Sequence, residues 1–271
     1  MGVFFMNFET RNYPSEITRT QFALVSSELN SIKKKTKPRV VDLYDVFCAI
    51  RYVLKGGIQW RMLPSDFPKW STVYYYYHMW TKVDENGSSV FERLLRKIIR
   101  LLRFNELKCE YPSMCIIDSK SIKNADTASE KGYDGGKKVA GIKVHIMTDT
   151  LGMPHMIHIT TANISDRDGA LEMLSLNKGR LTKIEKILVD KGYSGENFAN
   201  SVNEMCDAVV EVSNQKKVHY FIPEKFRWVV ERSFGWLSKA RRLAVNYENT
   251  REATRQMVIF AFLSLFIQRF E

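Results

Sequence analysis

Apolar residues recur every three or four positions through roughly the first hundred residues, then gather into short unbroken runs from residue 114 onward. The first pattern predicts amphipathic helices and the second predicts strands. Residues 15–107 read as helical. In DLYDVFCAIRYVLKGG (42–57), Val46, Ala49, Ile50, Val53 and Leu54 share one face, and Gly56-Gly57 supplies a C-cap. STVYYYYHMW (71–80) opens with Ser71 as N-cap. Its tyrosines, Tyr74 to Tyr77, cover every side of one turn, so most are expected to pack and one or two to face outward. SSVFERLLRKIIRLLRF (88–104) carries an apolar stripe through Phe91, Leu94, Leu95, Ile98, Leu101 and Leu102. The turn-rich connector IQWRMLPSDFPKW separates the first two of these helices. Such a set makes either a helix-turn-helix-like DNA-binding unit or a plain helical bundle, and periodicity alone does not separate them.

Polarity shifts at NELKCEYPS (105–113), which places a domain boundary there: a helical domain at 1–107 and a second domain at 108–271. The second domain has five strand-length runs: MCIID (114–118), VAGIKVHIMTD (139–149), MPHMIHITTAN (153–163), KILVD (186–190) and DAVVEV (207–212). Helical patterns fall at about 166–178, 194–205, 224–243 and 251–270. Three adjacent strands followed by alternating helix and strand predict an α/β domain, a mixed sheet flanked by helices. The most apolar stretch, MVIFAFLSLFI (257–267), falls short of the ~20 residues that span a bilayer, so a buried helix is expected and a membrane role is not.

Charge adds a second constraint. The 41 Lys and Arg outnumber the 30 Asp and Glu, leaving a net charge of +11. That excess favours a polyanionic partner, nucleic acid before an acidic membrane surface. SIKKKTKPRV (31–40) concentrates five basic residues in a loop, as a solvated linker or a phosphate contact. The four cysteines are scattered without a CxxC spacing, and the N-terminus lacks a basic, then apolar, leader pattern. Reduced thiols and a cytoplasmic location are expected.

The candidate chemistry lies in carboxylates. IID118 and LVD190 each run a buried strand into an aspartate, with Lys120 and Lys191 close behind. Open α/β sheets place ligand sites at the carboxyl ends of strands. Glu231 sits in RWVVERSFGW on the polar side of a helix, with Arg227, Ser238 and Arg242 near it and Lys239 on the flank. Taken locally, it reads as an i, i+4 pair with Arg227, worth about 0.2–0.5 kcal/mol. Taken with the two aspartates, it reads as the third arm of a hard-oxygen site for a divalent ion that serves phosphoryl transfer.

These residues resemble bacterial insertion-sequence transposases of the DDE superfamily, in the insertion-sequence-five-like group, over roughly 15–265. The resemblance is carried by YVLKGGIQWRMLPSDFPKWSTVYYYY (52–77), IIDSKSIK, GIKVHIMTDTLGMP, LVDKGYSGENF and FRWVVERSFGWLSKARRL. It implies a ribonuclease-H-like catalytic domain behind a helical DNA-binding domain. It implies that Asp118, Asp190 and Glu231 are catalytic and hold Mg²⁺, or Mn²⁺ in its place. It also implies DNA partners (inverted-repeat ends and target) and a homodimer or higher multimer on DNA, near the nucleoid. DNA contacts are expected from Arg227 and Lys239, and also from Lys120, Lys143, Lys191 and Arg61. One related branch has Tyr, Arg and Lys around the Glu; here Glu224 stands at the Tyr position and Ser238 at the Lys position, with Lys239 one residue later. Two other readings stay open: a related DNA nuclease, and a repurposed DNA-binding protein that does not transpose. His145, His158, Asp149, Asp166 and Asp168 are expected to be structural, as strand, turn and helix-start residues.

Overall fold

The computed structural model describes residues 13–32, 39–85, 87–180, 183–213 and 227–270, with the backbone alone for Arg180 and Arg227. Most of the basic loop 31–40, together with Glu224 and Phe226, lies outside them. Four helices come first: α1 (Arg19–Ser31), α2 (Leu43–Gly56), α3 (Trp70–Thr81) and α4 (Val90–Asn105). Their ends follow local chemistry. Asp42 accepts from the Tyr44 amide to start α2, and Gly57 closes that helix at φ 69°, a conformation that a side chain would strain. Ser89 and Glu92 form a reciprocal capping box at α4. The expected cap at Ser71 gives way: α3 begins at Trp70 after Lys69, which makes no side-chain cap bond.

Among the described residues six strands make one sheet: β1 (Met114–Lys123), β2 (Gly132–Asp134), β3 (Val139–Asp149), β4 (Pro154–Thr161), β5 (Lys186–Val189) and β6 (Val209–Val212). The path is β2-β3-β1-β5-β6, with β4 also on β3. β1, β3 and β4 are antiparallel neighbours, while β5 and β6 run parallel to β1. The helices α5 (Asp166–Ser175) and α6 (Glu196–Cys206) precede β5 and β6, supplying the long connections that parallel strands need. Last come α7 (Arg227–Ser238) and α8 (Arg251–Ile267).

Alternation along the strands divides the interior in two. Ile116, Ile142, Val144, Ile146, Ile157 and Ile159 join a large core with α7, α8 and the N-terminal helices. Cys115, Ile117, Met147 and Met156 face a smaller core with α5 and α6. The large core runs without interruption across residue 107. Phe260 of α8 meets Phe47 of α2 at 5.4 Å and Phe91 of α4 at 4.8 Å between ring centroids. Arg51, wholly buried, donates to the Ser15 and Ser264 carbonyls at 2.7 and 2.5 Å. α2 is therefore enclosed along most of its length, and in α3 Tyr77 is buried while Tyr74 and Tyr75 are exposed.

A second anchor joins α4 to the sheet. Arg103 and Asp149, both buried, form an ion pair, and Asp149 also accepts the Leu151 and Met153 amides at 2.9 and 3.0 Å. Burial works against the Asp149 charge, but His155, the Met153 amide and Arg103 hold it below the usual carboxylate range. The structural role expected of Asp149 is thus that of a turn cap and a tie between layers.

Candidate active site

β1 and β5 pair in parallel through Ile116 and Leu188, and two residues further along each chain stand Asp118 and Asp190. Asp190 lies just past the end of β5. Asp118 does not end its strand as expected: β1 continues to Lys123 because antiparallel β3 supports it through Ile122 and Lys123. Asp118 Oδ1 accepts its neighbour's amide, Ser119 N, at 2.7 Å. Asp190 caps the following 3₁₀ turn by accepting Gly192 N at 2.8 Å. Burial, with Asp190 adding its negative charge, pushes the Asp118 carboxyl up to about 6.

Glu231 is exposed on α7, the helix that packs against β1 and α8. Val229, Val230, Ser233, Phe234 and Leu237 turn inward, so Glu231 occupies the expected outward side. The leading charges felt by Asp118 are those of Asp190, Lys137 and Asp166. Among the described residues, no group of three His, Cys, Asp or Glu side chains is arranged to hold a metal ion. The structure thus brings two of the three predicted acids together. The donor chemistry of that pair fits a hard divalent cation: two short carboxylates side by side, one already raised in proton affinity by burial and by the other.

The helix bearing Glu231 is shorter than its pattern suggested. α7 ends at Ser238, because Ala240 is extended, at φ −94° and ψ 105°. Arg242 therefore leaves the Glu231 face. It is buried and donates to Glu248 Oε1 and the Ile58 carbonyl, each at 2.8 Å. Lys239 is exposed beyond the helix end, and Lys120, Lys191 and Arg61 are exposed as well. Lys143, in contrast, points inward. It is buried, with its ammonium 2.7 Å from Asp166 Oδ1, 3.7 Å from Asp134 Oδ2 and 2.7 Å from the Ile164 carbonyl. The reason lies far away in sequence: α5 delivers Asp166 onto the sheet face that Lys143 occupies.

That face holds a polar layer that the sequence reading did not find. Burial opposes the Asp166 charge, but Lys143 and Ser119 hold it below the usual carboxylate range. Tyr193, three residues after Asp190, is buried there, and its phenol is pushed well up by burial and by the Asp118 and Asp166 charges. The one available signal for Tyr193 was its place directly after the Asp190 turn. His145 lies in the same layer, its Nε2 2.9 Å from Thr160 Oγ1, so it serves the interior as expected. Asp166 and Asp168 do occupy the first turn of α5, behind Ser165 as cap.

Three antiparallel strands continued by two parallel ones, helices on both faces, and one aspartate within β1 beside another just past β5 define a ribonuclease-H-like α/β fold with an acidic centre. The chain belongs to the family described as "Transposase DDE domain", whose model matches residues 112–267. Residues 17–94 match a second model, "Putative transposase of IS4/5 family", which leaves 95–111 between the two matches. The chain is also 30% identical, over 115 residues, to a Burkholderia cepacia protein named "Putative transposase for insertion sequence element IS402". That match covers 40% of this chain and about half (54%) of the relative's length. Among the described residues no helix is long and apolar enough to cross a membrane.

Proposed function

We propose that the chain is a DNA transposase that cuts at the inverted-repeat ends of a mobile element and transfers the freed 3′-hydroxyl ends to target DNA. The observation that carries this reading is the matched position of Asp118 and Asp190 on adjacent parallel strands, in a chain of the DDE family. Asp118, Asp190 and Glu231 would hold Mg²⁺, or Mn²⁺ in its place. When bound, such ions supply activation of the attacking oxygen and stabilisation of the leaving one. The two aspartates contribute fixed oxygens on a stiff sheet, while Glu231 contributes a longer arm from α7. Lys120 and Lys191 stand beside the aspartates in sequence, and with Arg61, Arg227 and Lys239 they would receive DNA phosphates. A homodimer or higher multimer would hold two element ends together.

The test is cleavage and strand transfer on DNA carrying the element's ends, with and without Mg²⁺. Wild-type chain is expected to give joined products, and Glu231→Gln to give neither cutting nor joining. Cut ends that never join would favour a nuclease. Full activity in Glu231→Gln would return that residue to a surface ion pair.

A further inference from the structure

Arg93, Arg96, Lys97 and Arg100 recur at intervals of three or four along α4 and line one groove on its outward side. Lys108 extends the row beyond the helix, and among the described residues lining this groove Glu110 is the one acid. Phe104, 77% exposed, projects into it. A neighbouring groove shares Arg96 and Arg100 and continues to Tyr111 and Lys183, just before β5. The Tyr111 ring lies between them, 5.4 Å from the Arg100 guanidinium and 4.8 Å from the Lys183 ammonium.

Several of these cations have acidic neighbours. Lys97 lies 2.6 Å from Glu28, Arg100 lies 2.9 Å from Glu110, and Arg93 pairs with Asp84. All six side chains are substantially exposed, and exposed pairs of this kind are worth only about 0–1 kcal/mol each. A phosphate can replace a carboxylate there at small cost. Arg93 to Arg100 covers about 11 Å along the helix axis, and Lys108 carries the row beyond the helix end.

The groove is distinct from the aspartate pair. β5 starts at Lys186, beside the Lys183 end of the neighbouring groove, and runs four residues to Val189 before Asp190. The two features therefore sit at opposite ends of one strand, about 13 Å of chain apart. We propose that the α4 groove binds the phosphate backbone of double-stranded DNA, as a contact separate from the acidic centre. The inference rests on the transposase reading for its partner, and it assigns the contact to an outward face of α4 instead of the enclosed α2.

The experiment uses the full chain and an arbitrary duplex of about 30 base pairs, with affinity followed by fluorescence anisotropy between about 50 and 200 mM salt. Each lost phosphate contact lowers the slope of log affinity against log salt by about 0.9. The double variant Arg96→Ala/Arg100→Ala is expected to lower it by about 2 and to weaken binding roughly tenfold at about 100 mM salt. Lys108→Glu, outside the helix, is expected to weaken binding in the same direction with an unchanged melting temperature. Unchanged slopes in both variants would overturn the assignment. So would a change of sedimentation coefficient with an unchanged slope, which would make the groove a contact between copies. If the variants show the slope change yet wild-type chain never cuts DNA, the transposase reading fails and the groove assignment stands.

Discussion

Asp118 and Asp190 occupy matching positions on adjacent parallel strands, each two residues beyond the Ile116–Leu188 pair. Like charges so placed disfavour joint ionisation, and a shared cation relieves that. Asp190→Asn is expected to abolish cleavage, by about three orders of magnitude or about 4 kcal/mol of transition-state stabilisation. The same variant in chelator should be at least as stable as wild type. Adding Mg²⁺ should raise the melting temperature of wild type and leave the variant unmoved. Thermal melts with and without metal check this.

Acid should stabilise the Asp118 carboxyl's contribution. Its value in the folded chain, about 6, lies above its ordinary 3.8. Between those values the folded state binds a proton that the unfolded state releases, so this group's contribution improves as pH falls through 6. The gain saturates below 3.8, at up to about 3 kcal/mol. In metal-free buffer Asp118→Asn should lose that dependence, as urea titrations at pH 7 and pH 4 will show.

His145 works in the opposite direction. Burial, with His158 close by, pushes it down to about 3 from 6.5. Below pH 6.5 the unfolded chain takes up a proton that the folded chain refuses, and stability falls until pH 3. At pH 5 the deficit is about 2 kcal/mol. His145→Gln should flatten this part of the profile. The difference in unfolding midpoint between pH 7.5 and pH 5, variant against wild type, measures it.

Gly169 marks how closely α5 lies on that histidine. A Cβ at this glycine would sit 2.2 Å from the His145 ring. Alanine improves helix propensity by about 1 kcal/mol, but a clash with a buried ring costs about 1–3 kcal/mol. Gly169→Ala is expected to destabilise, and His145→Ser in the same chain to recover most of the loss. A double-mutant cycle by urea unfolding would show coupling between the two sites.

Breaking the tie between α4 and the β3–β4 turn should be more damaging. Arg103→Met leaves the buried Asp149 charge without its guanidinium. The expected loss is about 3–5 kcal/mol, read from denaturant unfolding. Replacing both residues by apolar ones should cost less than that single change, although the turn amides would lose their acceptor.

Much of this was legible along the chain. The five strands longer than three residues announced themselves as apolar runs, and α4 and α8 as stripes or unbroken apolar helix. What stayed hidden depended on partners distant in sequence. β1 continues through SKSIK, which looks polar, because β3 supports it. β2 is three residues long and holds only as a neighbour of β3. Lys143 looked like a surface lysine until α5 brought Asp166 to it. The aspartate pair followed from two similar strand endings, but their register needed the sheet. The length of α7 could not be read, since alanine favours a helix locally whereas Ala240 is extended.

The position of Phe260 between Phe47 and Phe91 has a consequence for synthesis of the chain. The amino-terminal helices leave the ribosome long before the segment that fills the space between them. These helices also meet one another, through Phe22 with Phe47 and Trp80 with Phe91, but until α8 emerges the core they share stays open where Phe260 belongs. Loss of α8 would therefore remove a wall of the amino-terminal core and not only the last helix of the chain.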